Sequence, residues 1–84
     1  MEHNQRKELR DKLLKKAYDY YFEKKGCDMY VDEGTEEPET LLAYQYLSDK
    51  RLIKYEHFGG KEMKVKITDY GIDFIENGQK FSEH

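Results

Sequence analysis

Cysteine, proline and tryptophan are nearly missing from this chain of 84 residues, which contains one Cys, one Pro and no Trp. A single cysteine, Cys27, excludes an internal disulfide and suits a reducing compartment. No apolar run approaches the roughly 20 residues of a membrane-spanning helix, and the charged segment Met1–Lys16 lacks the apolar centre of a secretory signal. We therefore expect a soluble cytoplasmic protein that has no membrane partner.

Charged and aromatic residues are abundant instead, at 39% and 14% of the chain, and eight of the aromatics are Tyr. The two signs of charge are interleaved and the aromatic rings supply apolar area, so the composition favours a folded domain over disorder. The length is that of one small domain. We predict an ordered core over residues 6–78, with residues 1–5 and 79–84 flexible.

The charges are distributed unevenly along the chain. Residues 1–26 carry eight bases against five acids, a net charge of +3. Residues 27–49 carry seven acids and no base, whereas residues 50–84 carry seven bases and six acids. A surface that binds nucleic acid usually clusters Lys and Arg against the phosphates. The middle block has the opposite sign, and this bears directly on function.

Apolar residues recur at three- and four-residue steps from about residue 7 to residue 25, which predicts a first helix. Lys24 and Lys25 suit its last turn and Gly26 its end. Four aromatics fall within residues 18–22, and they cannot all face one core at about 100° per residue. Either one or two rings are partly exposed, or Tyr18, Tyr21 and Phe22 form a contact surface, most simply for a homodimer.

An acidic segment and a second helix follow. Met29 and Val31 indicate a short strand or one helical turn beneath the core. Thr35 is a candidate N-cap because acids and Pro38 follow it in what would be the first turn. The helix is predicted to continue to about Lys50, with Thr40, Tyr44 and Leu47 on one stripe and Ala43 beside it. Leu41, Gln45 and Ser48 form the opposite stripe, which is the face that a recognition helix would offer.

Residues 53–67 alternate between apolar and polar side chains on both sides of Gly59-Gly60, which predicts an antiparallel hairpin. A two-residue loop would mix polar and apolar residues on each face. A three-residue loop over residues 59–61 pairs Ile53 with Ile67 and keeps the apolar side chains together. The same register sets Tyr55 against Val65, His57 against Met63, Glu56 against Lys64 and Lys54 against Lys66.

A last helix is predicted from Thr68, which caps it, to about Glu76, before Asn77-Gly78. Ile72 and Ile75 are expected to face inward. Gly71 lies where a helix prefers Ala by about 1 kcal/mol, which indicates a close approach to a neighbouring segment. Beyond this helix, Phe81 is the side chain that could dock.

Two segments resemble winged helix-turn-helix proteins. Leu47-Ser-Asp-Lys-Arg-Leu-Ile53 is similar to the end of their recognition helix, and Ile67-Thr-Asp-Tyr-Gly-Ile-Asp-Phe-Ile75 to the start of their last helix. Small bacterial and phage-borne regulators of the MarR and PadR kind share this arrangement, and the resemblance covers roughly residues 38–77. It implies an α+β winged helix: a three-helix core, a two-stranded β-hairpin wing and a C-terminal helix. Arg51 stands where the family usually has Gly.

The residues give no support for an enzyme. Ser48-Asp49 has no His placed to act as its base, and Cys27 has no partner at metal-ligand spacing, so we expect no catalytic residue, metal or cofactor. Gly59-Gly60 is a turn, since no strand, Gly-rich loop and helix surround it in the order of a phosphate-binding loop.

The leading hypothesis is a small winged-helix protein that binds double-stranded DNA and regulates transcription. The alternative is a winged-helix protein-interaction module that binds a protein partner and no DNA, using the Tyr-rich helix and the acidic segment. Three acids at the start of the second helix weigh against DNA, because that end points into the groove in helix-turn-helix docking. The candidate nucleic-acid contacts are Gln45, Lys50, Arg51, Lys61 and Lys64, with Lys54 and Lys66 nearby.

Overall fold

The computed structural model of the chain describes residues 2–82 and has an α+β architecture. Three helices pack against one face of a three-stranded antiparallel sheet whose strand order is β1-β3-β2. None of the three helices combines the length and apolar character that a bilayer crossing requires. The elements, in chain order, are α1 (His3–Glu23), β1 (Met29–Asp32), α2 (Pro38–Asp49), β2 (Ile53–Gly59), β3 (Glu62–Ile67) and α3 (Asp69–Glu76).

Helix α1 begins earlier and ends earlier than its apolar period predicted. The backbone N–H of Glu2 donates to Oε1 of Gln5 at 3.1 Å, which places the start of the helix before the predicted core. Lys24 is the C-cap, and Lys25 already has a left-handed backbone with φ of 55°. The prediction that both lysines lie in the last turn is therefore wrong. Gly26, with φ of 85°, completes the reversal as expected.

Residues Met29–Asp32 form a strand, which decides between the two predicted conformations of this segment. Met29 and Val31 are buried and the intervening Tyr30 is exposed, and Met29 pairs with Val65 of β3. Chain reversal after β1 takes only the turn over residues 33–36. Within residues 2–82 there is accordingly no fourth helix, so the expected three-helix core with an additional C-terminal helix is not found. The hairpin, which was expected to stand as a two-stranded wing, is joined by β1 in a three-stranded sheet.

The predicted hairpin register is confirmed at every pair, from Ile53 against Ile67 to His57 against Met63. The predicted loop is not. Gly59 pairs with Glu62, which leaves a two-residue connection, and the odd residue is absorbed by a β-bulge between His57 and Gly59. The alternation of side chains therefore predicted the register correctly. The extra residue that this register requires lies in a bulge of β2 and not in a longer loop.

Helix α2 begins at Pro38, with Glu37 as its N-cap, so the prediction of Thr35 as N-cap is wrong. Thr35 Oγ1 donates to the backbone oxygen of Asp32 instead, and it belongs to the turn that follows β1. Tyr44 and Leu47 of the predicted stripe are buried, as is Ala43 beside them, whereas Thr40 is half-buried.

Helix α3 and the residues after it close the core. Thr68 Oγ1 accepts from the backbone N–H of Gly71, which confirms the predicted cap. Ile72 and Ile75 pack against the core from α3, and Tyr70 is exposed. Phe81 docks on Phe74, with ring centroids 4.9 Å apart. Of the ends expected to be flexible, residues 1, 83 and 84 lie outside the described residues.

Candidate nucleic-acid interface

An open groove of about 610 Å³ runs along the start of β2 and the end of β3. Three cations line it: Arg51 at the end of α2, Lys54 on β2 and Lys66 on β3. Lys54 and Lys66 are direct cross-strand partners. Like charges directly opposite each other on a sheet repel, and an anion bound between these two lysines would relieve that repulsion. Tyr21 and Tyr70 contribute aromatic rings to the same groove.

The geometry around Arg51 brings the third cation to the groove. Its backbone is left-handed, with φ of 62°, a conformation that favours Gly and that Arg51 adopts despite its side chain. Thr68 Oγ1 donates to the carbonyl oxygen of Arg51 at 2.6 Å. Because the same hydroxyl caps α3, the start of α3 and the end of α2 are held together at one end of the groove.

The groove also contains acids, but they form no ion pair with its cations. Glu56 and Asp69 are among its lining residues. The ion pairs of the described residues are Arg6–Glu39, Lys15–Asp19 and His57–Glu33, and none of them involves Arg51, Lys54 or Lys66. Lys66 Nζ lies 5.9 Å from the centre of the Tyr21 ring. These three cations are thus available to phosphate oxygens without breaking an ion pair.

The five predicted contacts do not converge on one site. Gln45 is occupied, since its Nε2 donates to Oδ1 of Asp49 at 3.1 Å. Lys50 places its Nζ 5.6 Å from the centre of the Tyr46 ring. Of the five predicted residues, only Arg51 lines the cationic groove.

The two lysines predicted on the hairpin lie outside that groove. Lys61 is at the hairpin tip and extends beside Gly34, where an added Cβ would stand 3.1 Å from Lys61 Cδ. Lys64 lies on the outer face of the sheet, with Nζ 5.9 Å from the centre of the Phe58 ring. Lys54 and Lys66 were predicted only to lie near the contacts. Their pairing in the predicted hairpin register already indicated that two cations stand side by side there.

The acidic start of α2 is partly neutralised within the molecule. Arg6 of α1 makes a two-point contact with Glu39, at 3.3 Å from Nε and 3.2 Å from Nη2. This side-chain hydrogen bond lowers the pKa of Glu39, and burial opposes that shift only in part. Glu36 and Glu37 are exposed. The α2 N-terminus therefore still presents negative charge, and the cationic groove lies at the opposite end of the helix.

The predicted self-association surface is divided by the packing. Tyr18 donates its hydroxyl to Oε2 of Glu76 at 3.0 Å, which ties α1 to α3 and raises the pKa of the tyrosine. Tyr21 is half-buried and lines the cationic groove. Phe22 is 52% exposed and contacts both rings, at centroid distances of 4.8 and 5.1 Å. Of the three, Phe22 alone presents most of its ring to solvent.

The part of the chain that the structure describes brings no three metal-ligating side chains together, and Cys27 is exposed. No family model, no curated protein and no solved structure matches this chain.

Proposed function

We propose that this is a small DNA-binding protein of winged-helix type, acting without enzymatic activity as a regulator of transcription. The observation that supports the proposal is the convergence of Arg51, Lys54 and Lys66 in one groove, where none of the three forms an ion pair with another residue of 2–82. The end of α2, the hairpin β2–β3 and the capped α3 follow one another as they do in the wing half of winged-helix proteins.

Duplex DNA would lie against the hairpin and the C-terminal end of α2. Arg51, Lys54 and Lys66 hold phosphates in this arrangement, and such contacts position a protein on DNA without reading its sequence. The N-terminal end of α2, with Glu36 and Glu37, stays away from the backbone. This mode differs from helix-turn-helix docking, in which the start of the recognition helix enters the major groove.

Fluorescence anisotropy with a labelled mixed-sequence duplex tests the proposal at about 50 and 200 mM salt. Affinity should fall steeply with salt, because each phosphate contact releases counterions. Lys54→Gln and Lys66→Gln should each weaken binding uniformly across sequences and reduce the salt slope by about 1.

Lys16→Gln is the matched control, since it removes the same charge from an exposed position of α1 outside the groove. The proposal fails if the duplex does not bind at about 50 mM salt. It also fails if Lys16→Gln weakens binding as much as the groove variants do.

The second candidate is a protein-interaction module that does not contact DNA. The exposed ring of Phe22 and the exposed acids Glu36 and Glu37 favour it, because each presents a surface that the fold itself leaves uncovered. Light scattering well above micromolar concentration tests its simplest form, the homodimer. Phe22→Ser should then yield a monomer, and a wild-type protein that is already monomeric contradicts the dimer.

A further inference from the structure

Two large aromatic side chains meet on the outer face of the sheet, the face opposite the core. Tyr30 of β1 is 52% exposed and Phe58 of β2 is 58% exposed, although their strands are not neighbours. Their ring centroids are 5.0 Å apart and the rings are tilted by 61°. We call them the aromatic pair. Exposed aromatic surface on so polar a chain stands out, since 39% of its residues are charged.

The backbone accounts for the position of the pair. Tyr30 is opposite Lys64 on the central strand β3, and Lys64 is in turn opposite Glu56 on β2. Phe58 lies in the β-bulge between His57 and Gly59. A bulge bends its strand and redirects a side chain, so Phe58 reaches across β3 towards Tyr30. The ring edges and faces that remain free are therefore directed to solvent.

The outer face carries charges of both signs, and Glu56 stands opposite Lys64 in the row of the aromatic pair. Lys64 flanks the aromatic pair, and the next outward-facing row consists of Lys66 and Lys54, about 6.6 Å further along the sheet. The row on the other side of the pair, towards the hairpin tip, consists of Asp32 and Glu62. A path thus leads from the aromatic pair over Lys64, beside Glu56, to the cationic groove, whereas the row in the opposite direction contains only acids.

We infer that this outer face binds a nucleic-acid strand with unpaired bases. Bases stack on Tyr30 and Phe58, and the backbone phosphates run over Lys64 to Lys54 and Lys66. Aromatic rings beside lysines on an open sheet suit this ligand, because every base has a π-face and every linkage has a negative charge. A closed duplex keeps its bases stacked on one another and offers only phosphates to the same surface. The inference rests on the proposed function, since both use Lys54 and Lys66.

Anisotropy titrations with labelled oligothymidine and with a duplex of the same length, about 12 nucleotides, test the inference. An oligouridine of that length distinguishes RNA from DNA as the source of the strand. The double variant Tyr30→Leu with Phe58→Leu keeps apolar volume but removes both π-faces. It should weaken single-strand binding about tenfold or more and leave duplex binding within about twofold.

Phe22→Leu is the matched control, because it makes the same change at a ring that is 52% exposed on α1. The circular-dichroism melts of all variants should coincide with that of the wild type, since the substituted rings are exposed. Unchanged single-strand affinity in the double variant overturns the inference, and so does an equal loss in Phe22→Leu. Duplex binding that keeps its salt dependence would then leave the proposed function standing, whereas binding of neither nucleic acid by the wild type overturns both.

Discussion

Gly71 of α3 and Leu52, the residue before β2, are packed backbone to backbone. A Cβ added at Gly71 would overlap the carbonyl oxygen of Leu52 and stand 2.6 Å from Cγ1 of Ile67. The same carbonyl oxygen accepts a hydrogen bond of 3.0 Å from the backbone N–H of Thr68. The helix that closes the core is thus seated on the start of the hairpin with no room for a side chain between them.

Gly71→Ala should destabilise the protein, although Ala is the better helix former by about 1 kcal/mol. The added methyl group meets the carbonyl oxygen of Leu52, a backbone atom that cannot rotate away, and overpacking of this kind costs about 1–3 kcal/mol. Urea unfolding measures the change in the free energy of unfolding. Gly59→Ala is the control, because nothing lies within 4 Å of an added Cβ there. Equal stability of the two variants would contradict the close packing.

Arg51→Gly should stabilise the fold and weaken the proposed binding to DNA. A left-handed backbone costs a non-Gly residue about 1–2 kcal/mol, and the greater freedom of Gly in the unfolded chain offsets part of that gain. We expect a net gain of about 0.5–1 kcal/mol in urea unfolding. Lys50→Gly, at a neighbouring position with φ of −82°, should lose stability instead. A loss in both variants would show that Arg51 is not strained.

The buried ring of Tyr44 should make the fold sensitive to alkali. Burial raises the pKa of Tyr44 to about 12, from 10.0 in an exposed tyrosine. Its contribution to stability is complete below pH 10 and is lost as pH rises towards 12, because only the unfolded chain releases the proton in that interval. The free energy of unfolding should fall there by about 1.4 kcal/mol per pH unit. Tyr44→Phe should flatten this slope, and an unchanged slope would contradict the assignment.

The Arg6–Glu39 pair should add a smaller dependence on acid. The pKa of Glu39 is lowered in the folded protein, so its stabilising effect is present above the ordinary value of 4.5 and is lost as pH falls through the folded value. Chemical unfolding at a series of acidic pH values measures this effect. Glu39→Gln should remove this component without changing the alkaline limb, whereas an acid limb identical to the wild type would exclude the contact.

Asp11 should determine whether the residues after α3 stay docked. Its carboxylate accepts from the backbone N–H groups of Phe81 and Ser82, at 2.7 and 3.0 Å, and from the Ser82 hydroxyl at 2.6 Å. Asp11→Ala leaves these donors without their partner, so the amides of Phe81 and Ser82 should exchange hydrogen much faster. Glu8→Ala changes an exposed acid of the same helix and should leave their exchange unchanged. Protection that survives Asp11→Ala would show that the Phe81 ring alone holds the segment.

The parts of the fold that rest on local chemistry could be predicted. The Thr68 cap and the close approach at Gly71 follow from residue types at neighbouring positions, and the hairpin register follows from alternation on two adjacent strands. The start of α2 could not be predicted in the same way, because its N-cap Glu37 is not a favoured capping residue and its side chain makes no capping hydrogen bond. Thr35 does not cap α2, because its hydroxyl donates to the backbone oxygen of Asp32, a residue whose position depends on β1.

The sequence by itself therefore determined the order of the elements after residue 38, the pairing of β2 with β3 and the buried stripe of α2. Only the tertiary structure decided that β1 pairs with β3, that Tyr30 meets Phe58 and that Arg51 joins Lys54 and Lys66 in one groove. The physical reason is the distance along the chain between the residues that interact. Caps, turns and alternation are set by neighbours along the chain, whereas these juxtapositions depend on how separate elements pack, and many packings are compatible with one local pattern.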